Sequence, residues 1–151
     1  MQNGLRILGH PLHVTILHVP LGLLSTAFIF DIIGLAQGVS IWWTIALANI
    51  ILGLIVAVPT VVAGFVDYVT TVPGDKPERL ATIHMLVNLG AMALFAFSIL
   101  SRGGLAPPDT LRAAITTALD IGGAVLLGIG GWYGGELVLR HNIGHRAPDE
   151  P

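Results

Sequence analysis

The sequence contains no cysteine and few charged residues. Cysteine is absent from all 151 residues, which excludes disulfides, thiolate ligation of haem and cysteine-held iron–sulfur clusters. Charged residues make up 11% of the chain, against about 25% in ordinary soluble domains. The formal net charge of −2 gives no reason to expect nucleic acid as a partner. The composition is therefore not that of a soluble domain, and a metal or haem site would have no thiolate ligand.

Hydrophobic residues instead make up 54% of the chain, and its mean hydropathy is +0.81. A helix needs about 20 mostly apolar residues to cross the hydrocarbon core of a bilayer. Four segments meet that requirement: Val14 to Ala36, Trp42 to Val66, Leu80 to Leu100, and Ala113 to Leu139. Because the connectors are short, neighbouring helices run antiparallel. The sequence predicts one all-α domain over residues 1–151, an integral membrane up-down-up-down four-helix bundle.

The segments that flank the apolar runs predict how the helices begin and end. The first run is not expected to be a cleavable signal peptide, for two reasons. The basic region before it holds only Arg6, and the apolar run is interrupted by Asp31. The predicted connectors are Gln37 to Ser40, Asp67 to Arg79, and Arg102 to Asp109. Asp109 or Thr110 is a natural N-cap for the fourth helix. Pro20 and Pro59 lie inside the first two helices and should kink them.

All six histidines are predicted at one end of this bundle. Three precede or begin the first helix (His10, His13 and His18), His84 begins the third, and two follow the fourth (His141 and His145). A rise of about 1.5 Å per residue places His18 and His84 at similar depths on helices of the same direction. Ionisable residues inside membrane segments generally face the interior. The sequence therefore predicts a buried pair, His18 and His84, as two ligands of one metal or haem.

Other polar residues and glycines surround this predicted site or lie opposite it. His13 and His141 are placed nearer the surface, as partners of haem propionates or as further ligands. Arg79 and Arg140 are suitable cations for the propionates. Asn88, one turn after His84, is a predicted hydrogen-bond partner of that histidine. At the opposite end, Asp31 and Asp120 lie at comparable depths; they are predicted to form a hydrogen-bonded or proton-sharing pair, or to mark a proton route.

The fourth helix carries two overlapping G-x-x-x-G pairs, Gly130 with Gly134 and Gly131 with Gly135. Such spacing leaves a stripe without side chains, against which another helix can pack closely. The same flat stripe would also admit the face or edge of a porphyrin. If the stripe packs against another helix, a large side chain at Gly131, as in Gly131→Leu, should destabilise the fold.

Four short motifs follow one another along the chain. They are Gly9-His10-Pro11-Leu12-His13 with His18-Val19-Pro20-Leu21-Gly22; Ala63-Gly64-Phe65-Val66-Asp67; His84-Met85-Leu86-Val87-Asn88; and Gly134-Gly135-Glu136-Leu137-Val138 with Arg140-His141-Asn142-Ile143-Gly144. In order and spacing they resemble the DUF2231 family of small bacterial membrane proteins, over nearly the whole chain. The resemblance implies a four-helix membrane fold. Because some members are fused to Rieske-type iron–sulfur domains, it also implies redox work by association.

The sequence favours a membrane b-type haem protein that transfers electrons, with His18 and His84 as axial ligands. Two imidazoles on opposite sides of a porphyrin leave no open coordination position, which suits electron transfer. The electron partner would be a quinol or a redox protein, and membrane lipid would surround the bundle. The chain could also form a homo-oligomer. One alternative is a non-haem zinc, iron or copper site; another is an accessory or assembly subunit without a cofactor. The residues assign no enzymatic reaction.

The distribution of basic residues predicts the orientation in a bacterial inner membrane. Five lie on the histidine side (Arg6, Lys76, Arg79, Arg140 and Arg146), and two lie opposite (Arg102 and Arg112). The positive-inside rule then puts the histidines and both termini in the cytoplasm. Reporter fusions at the C-terminus and after Gly104 test this topology. We expect an export-dependent reporter to be active only after Gly104, and its activity at the C-terminus would reverse the orientation.

Overall fold

The computed structural model describes residues 4–8, 10–72, 74, 76–104 and 108–143. These residues form a two-stranded antiparallel hairpin and five α-helices. The elements are β1 Arg6–Ile7, β2 His10–Pro11, α1 Leu12–Ile16, α2 His18–Gln37, α3 Ser40–Thr71, α4 Lys76–Arg102 and α5 Thr110–His141. Four helical stretches within them are long and apolar enough to cross a membrane: Leu12–Gln37, Ser40–Thr70, Lys76–Arg102 and Thr110–His141. The predicted all-α, four-helix membrane architecture is confirmed.

The helices extend beyond the apolar runs that predicted them. Asp67 and Arg79, expected at the ends of a connector, lie on α3 and α4, and α4 continues to Arg102. Hydropathy marks the thickness of the hydrocarbon core, whereas a helix continues for as long as its backbone bonds are made. Gly38 ends α2 in the left-handed conformation, with φ of 66°. At the start of α5, Asp109 accepts a hydrogen bond from the Arg112 N–H at 3.0 Å, so the predicted N-cap is confirmed.

The first membrane-crossing stretch is broken at Leu17, between α1 and α2. Pro20 explains the position of the break, because it has no N–H to donate to the carbonyl of Ile16, four residues earlier. The backbone hydrogen bonds on either side are kept. The Leu17 N–H donates to the His13 carbonyl at 3.1 Å, and the Leu21 N–H donates to the Leu17 carbonyl at 3.1 Å. The helix is therefore interrupted three residues before Pro20, while Leu17 keeps helical dihedral angles, with φ of −60° and ψ of −26°.

The bundle packs most closely as two antiparallel pairs, α2 with α3 and α4 with α5, and α2 also contacts α5. A small apolar core joins the pairs at mid-height, formed by Leu24, Ala27, Ile50, Ala91, Phe95 and Leu127. Glycines allow the close approach of the helices. A Cβ at Gly53 would lie 2.7 Å from the Leu24 side chain, and a Cβ at Gly123 would lie 2.7 Å from the Phe95 ring.

Large apolar side chains cover the outside of the bundle. Leu139 is 83% exposed and Leu100 is 75% exposed. Leucine, isoleucine and valine side chains are exposed along every membrane-crossing stretch. A surface of this kind is unstable in water but matches a lipid environment, where apolar tails surround it.

The contact between Gly123 and Phe95 predicts a difference between two glycines of the same helix. Gly123→Ala places a methyl group against the Phe95 ring, whereas Gly128→Ala meets nothing within 4 Å. Overpacking costs about 1–3 kcal/mol, which exceeds the gain of about 1 kcal/mol in helix propensity. We expect Gly123→Ala to lower the free energy of unfolding and Gly128→Ala to leave it equal or higher. Unfolding measurements in detergent test this, and equal stability of the two variants would place Gly123 outside the packed interface.

A candidate cofactor site formed by His13 and His84

His13 lies on α1 and is held by α3. Its Nδ1 donates a hydrogen bond to the backbone carbonyl of Thr60 at 2.9 Å. The ring occupies space that only a glycine on α3 leaves open, since a Cβ at Gly64 would lie 2.8 Å from His13 Nδ1. The side chain is half-buried. The backbone of α3 therefore fixes both the position and the orientation of this imidazole.

His84 lies on α4 and is held in the same way by α5. Its Nδ1 donates to the carbonyl of Gly130 at 2.8 Å, and a Cβ at Gly134 would lie 3.0 Å from its Cε1. Asn88 Nδ2 donates to the His84 backbone carbonyl at 2.7 Å. The predicted association of Asn88 with His84 is thus present, although the bond is made to the backbone. Gly130 makes room for Asn88, whose side chain would lie 2.5 Å from a Cβ there.

The hydrogen bonds determine which ring nitrogen of each histidine is free. A carbonyl oxygen can only accept, so Nδ1 must carry the proton in both residues. Asn88 Nδ2 also lies 3.3 Å from His84 Nδ1, but a nitrogen that donates to Gly130 has no lone pair to accept with. A neutral imidazole protonated on Nδ1 leaves Nε2 unprotonated. Both histidines therefore have Nε2 available as a ligand atom.

The two rings lie close together at the junction between the helix pairs. Their centroids are 6.3 Å apart, and the ring planes make an angle of 86°. His13 is held by α3 and His84 by α5, so each imidazole belongs to a different part of the bundle. Two nitrogen ligands consequently reach this junction from separate helices.

Asp67 and the N-terminal hairpin border the His13 side of the pair. The Asp67 carboxylate lies within electrostatic reach of His13 and Arg6, and it accepts a hydrogen bond from the Leu5 backbone N–H. The Leu12 N–H donates to the Leu5 carbonyl at 2.8 Å, which closes the hairpin. This end of the bundle therefore combines two imidazoles with one nearby carboxylate.

The other predicted site residues do not join this pair. His18 is exposed on α2, so its predicted burial beside His84 is wrong, and His13 takes that position. Arg79 is exposed on α4, and His141 is half-buried at the end of α5. Arg140 is exposed and pairs with Glu136, its Nε lying 3.1 Å from Oε2. His145 lies outside the described residues.

The five histidines within the described chain do lie towards one end of the bundle. The His10 ring is exposed and contacts its own loop, with Nδ1 3.1 Å from the Leu8 carbonyl oxygen. No group of three or more histidine, aspartate or glutamate side chains among the described residues could hold a metal ion. Among the described residues, the two imidazoles that come together at this end are those of His13 and His84.

The glycine stripe of α5 divides into two faces. Gly130 and Gly134 pack against Asn88 and His84, whereas a Cβ at Gly131 or Gly135 would meet nothing within 4 Å. The expectation that bulk at Gly131 disrupts packing is therefore wrong for the isolated chain. The inward glycines also leave no flat slot of their own, because the side chains of α4 fill the space beside them.

The opposite end of the bundle holds a buried charge cluster centred on Arg102. Its Nη2 lies 2.5 Å from Asp31 Oδ2 and 2.8 Å from Asp120 Oδ2. Nη1 lies 3.5 Å from the Trp43 carbonyl oxygen, and the guanidinium lies 5.8 Å from the centroid of the Trp43 ring. The predicted association of Asp31 with Asp120 is present, and Arg102 bonds to both carboxyl groups. Sequence reasoning placed Arg102 in a connector; two membrane carboxylates at matching depth were the signal that a cation belongs between them.

Comparison with known proteins identifies the family. The family model described as "Predicted membrane protein (DUF2231)" matches residues 9–147. The chain belongs to this family. No curated protein and no solved structure matches it.

The hydrogen bonds predict the tautomers of His13 and His84. We expect both rings to be Nδ1-protonated when neutral, because Thr60 and Gly130 offer only carbonyl oxygens. Nitrogen-15 NMR of ring-labelled protein in nanodiscs measures this directly, with His13→Gln and His84→Gln for assignment. His18, which is exposed on α2, serves as an internal comparison. Nε2-protonated rings at His13 and His84 would contradict the geometry.

Proposed function

We propose that this protein is a membrane b-type haem protein whose function is electron transfer, and that His13 and His84 would hold the haem iron. One observation carries the proposal: two imidazoles on different helices lie 6.3 Å apart, and each donates Nδ1–H to a backbone carbonyl. Hydrogen bonds of this kind orient ligand imidazoles and make Nε2 a better donor to a metal. His13 takes the role that the sequence favoured for His18.

The number of protein ligands favours haem over a bare ion. Zinc sites in proteins generally use three or four protein ligands, and the described residues offer no such group. A porphyrin supplies four nitrogens itself, so haem iron needs one or two axial ligands from the protein. Two histidines on separate helices meet that requirement without further donors.

The separation of the rings agrees with two ligands on one metal. Imidazole nitrogens bind metals at about 2.0–2.1 Å, so two opposed rings have centroids roughly 6 Å apart. His13 and His84 are 6.3 Å apart. His13 is held against α3 and His84 against α5, and α4 contacts α5 much more extensively than it contacts α3. A planar group between the rings would thus be bracketed from two sides.

Bound haem would supply a one-electron redox couple, and two imidazole ligands would leave no open position for oxygen. The chain's own residues would set the properties of that couple. Thr60 and Gly130 would hold the two rings by their carbonyls. Asp67, close to His13, would add negative charge beside one ligand and stabilise the oxidised form. Arg79 and Arg140 remain cations for the propionates, although Arg140 already pairs with Glu136.

The proposal places the haem in a bacterial inner membrane, towards the cytoplasmic face where the basic residues concentrate. Electrons would come from a quinol or pass to a redox protein that approaches this end. Membrane lipid would cover the apolar outer surface. The open glycines of α5, Gly131 and Gly135, would suit contact with a second copy.

Absorbance spectroscopy of detergent-purified protein from haem-supplied cells tests the assignment. We expect a low-spin, six-coordinate spectrum in the wild type and its loss in His13→Ala and His84→Ala. His10→Ala is the matched control, because this exposed histidine at the same end should leave the spectrum unchanged. Addition of imidazole to His84→Gly should restore the band, which separates a lost ligand from a lost fold.

Three outcomes would contradict the proposal. Wild-type protein without haem but with stoichiometric zinc, iron or copper would favour the non-haem site. Protein with neither would favour an accessory subunit. Loss of the spectrum in His18→Ala, together with its retention in His13→Ala, would restore the pairing that the sequence alone favoured.

A further inference from the structure

We propose that the cluster of Asp31, Arg102 and Asp120 is a proton-binding site, in which the two carboxyl groups hold one exchangeable proton inside the membrane. This site is separate from the histidine pair and lies at the other end of the bundle. Its ligand is the proton itself, taken up from solvent on that side.

The charges of the cluster require this proton. Asp31 and Asp120 are both 0% exposed, and Arg102 is 4% exposed. One guanidinium balances one carboxylate, so two ionised carboxylates would leave an uncompensated negative charge. A charge buried without a partner is far costlier than protonation of the group that carries it. A single proton on the carboxyl pair makes the cluster neutral.

The hydrogen bonds show where the proton would be held. Arg102 Nη2 contacts one oxygen of each aspartate. The other two oxygens, Asp31 Oδ1 and Asp120 Oδ1, are buried without a hydrogen-bond partner, although the two side chains interact directly. Two ionised carboxylates cannot bond to each other, because both only accept. One proton on either group converts that contact into a hydrogen bond.

Ser98 provides a second, independent indication. Its side chain is fully buried, lies beside Asp120, and has no hydrogen-bond partner for its hydroxyl. A hydroxyl both donates and accepts, so Ser98 can bond to Asp120 whether or not that carboxyl group carries the proton. Thr117, also buried on α5, leaves its Oγ1 unpaired as well.

Each membrane-crossing stretch contributes to this environment. Asp31 comes from α2, Arg102 and Ser98 from α4, and Asp120 from α5, while α3 adds the Trp43 carbonyl and ring. The charged groups at the adjoining helix end are Arg112 and Asp109, which are exposed and pair with each other at 3.3 Å. Arg102 is therefore the cation that balances the buried carboxylates.

Infrared difference spectroscopy of protein in nanodiscs tests the proposal. Spectra of the wild type minus Asp31→Asn, and of the wild type minus Asp120→Asn, should each show the carbonyl band of a protonated carboxylic acid near neutral pH. The band should shift in D₂O because the proton exchanges. Each single variant should lack it, since one aspartate and Arg102 form a neutral pair without a proton.

Thermal unfolding provides the matched control for folding. The two single variants remain neutral and should unfold near the wild-type temperature, whereas Asp31→Asn/Asp120→Asn leaves Arg102 unpaired and should unfold at a much lower temperature. Absence of the band from either difference spectrum would overturn the proposal, because the proton would then not depend on both carboxyls. If a single variant does not fold, the wild-type spectrum decides: a protonated-carboxyl band that exchanges in D₂O supports the site, and its absence overturns it.

Discussion

The buried contacts of Arg102 are the constraint on which the arrangement of the helices depends. In a bilayer the hydrophobic effect does not drive helices together, because lipid tails are as apolar as the side chains they would replace. Specific polar contacts and close packing have to set the register instead. Arg102 reaches Asp31 on α2, the Trp43 carbonyl on α3 and Asp120 on α5. One side chain therefore joins all four membrane-crossing stretches, and breaking its pairing leaves a buried charge.

Glycine provides the corresponding constraint at the other end, by letting backbones and rings approach. Gly64 admits His13 against α3, and Gly134 admits His84 against α5. The carbonyls that orient both imidazoles are within reach because no side chain holds the helices apart. Between the two polar ends lies the apolar core around Phe95. The bundle thus has a histidine end and a carboxylate end, with this apolar cluster between them.

Sequence reasoning predicted the fold well, because apolar runs of membrane length have few other structures open to them. It also predicted the histidine end, since helix direction follows from connector length. It failed on the choice between His18 and His13. Rise per residue gives depth but not direction around the axis, and five residues turn a helix by roughly 140° beyond a full turn. His18 is therefore exposed, while His13 lies beside His84.

The same limitation explains Arg102 and the glycines. Gly130 and Gly131 are neighbours in overlapping motifs, yet about 100° apart around the helix, so one packs and the other is open. Arg102 precedes two glycines and therefore resembled a loop residue, although Asp31 and Asp120 required a cation at their depth.

The separation of the histidine end from the carboxylate end also limits the function of the protein. With Phe95 and its neighbours between them, a proton at the carboxylates and an electron at the histidines would exchange with opposite sides of the membrane. Any coupling between them would have to be electrostatic or conformational, because the apolar core provides no chain of hydrogen bonds.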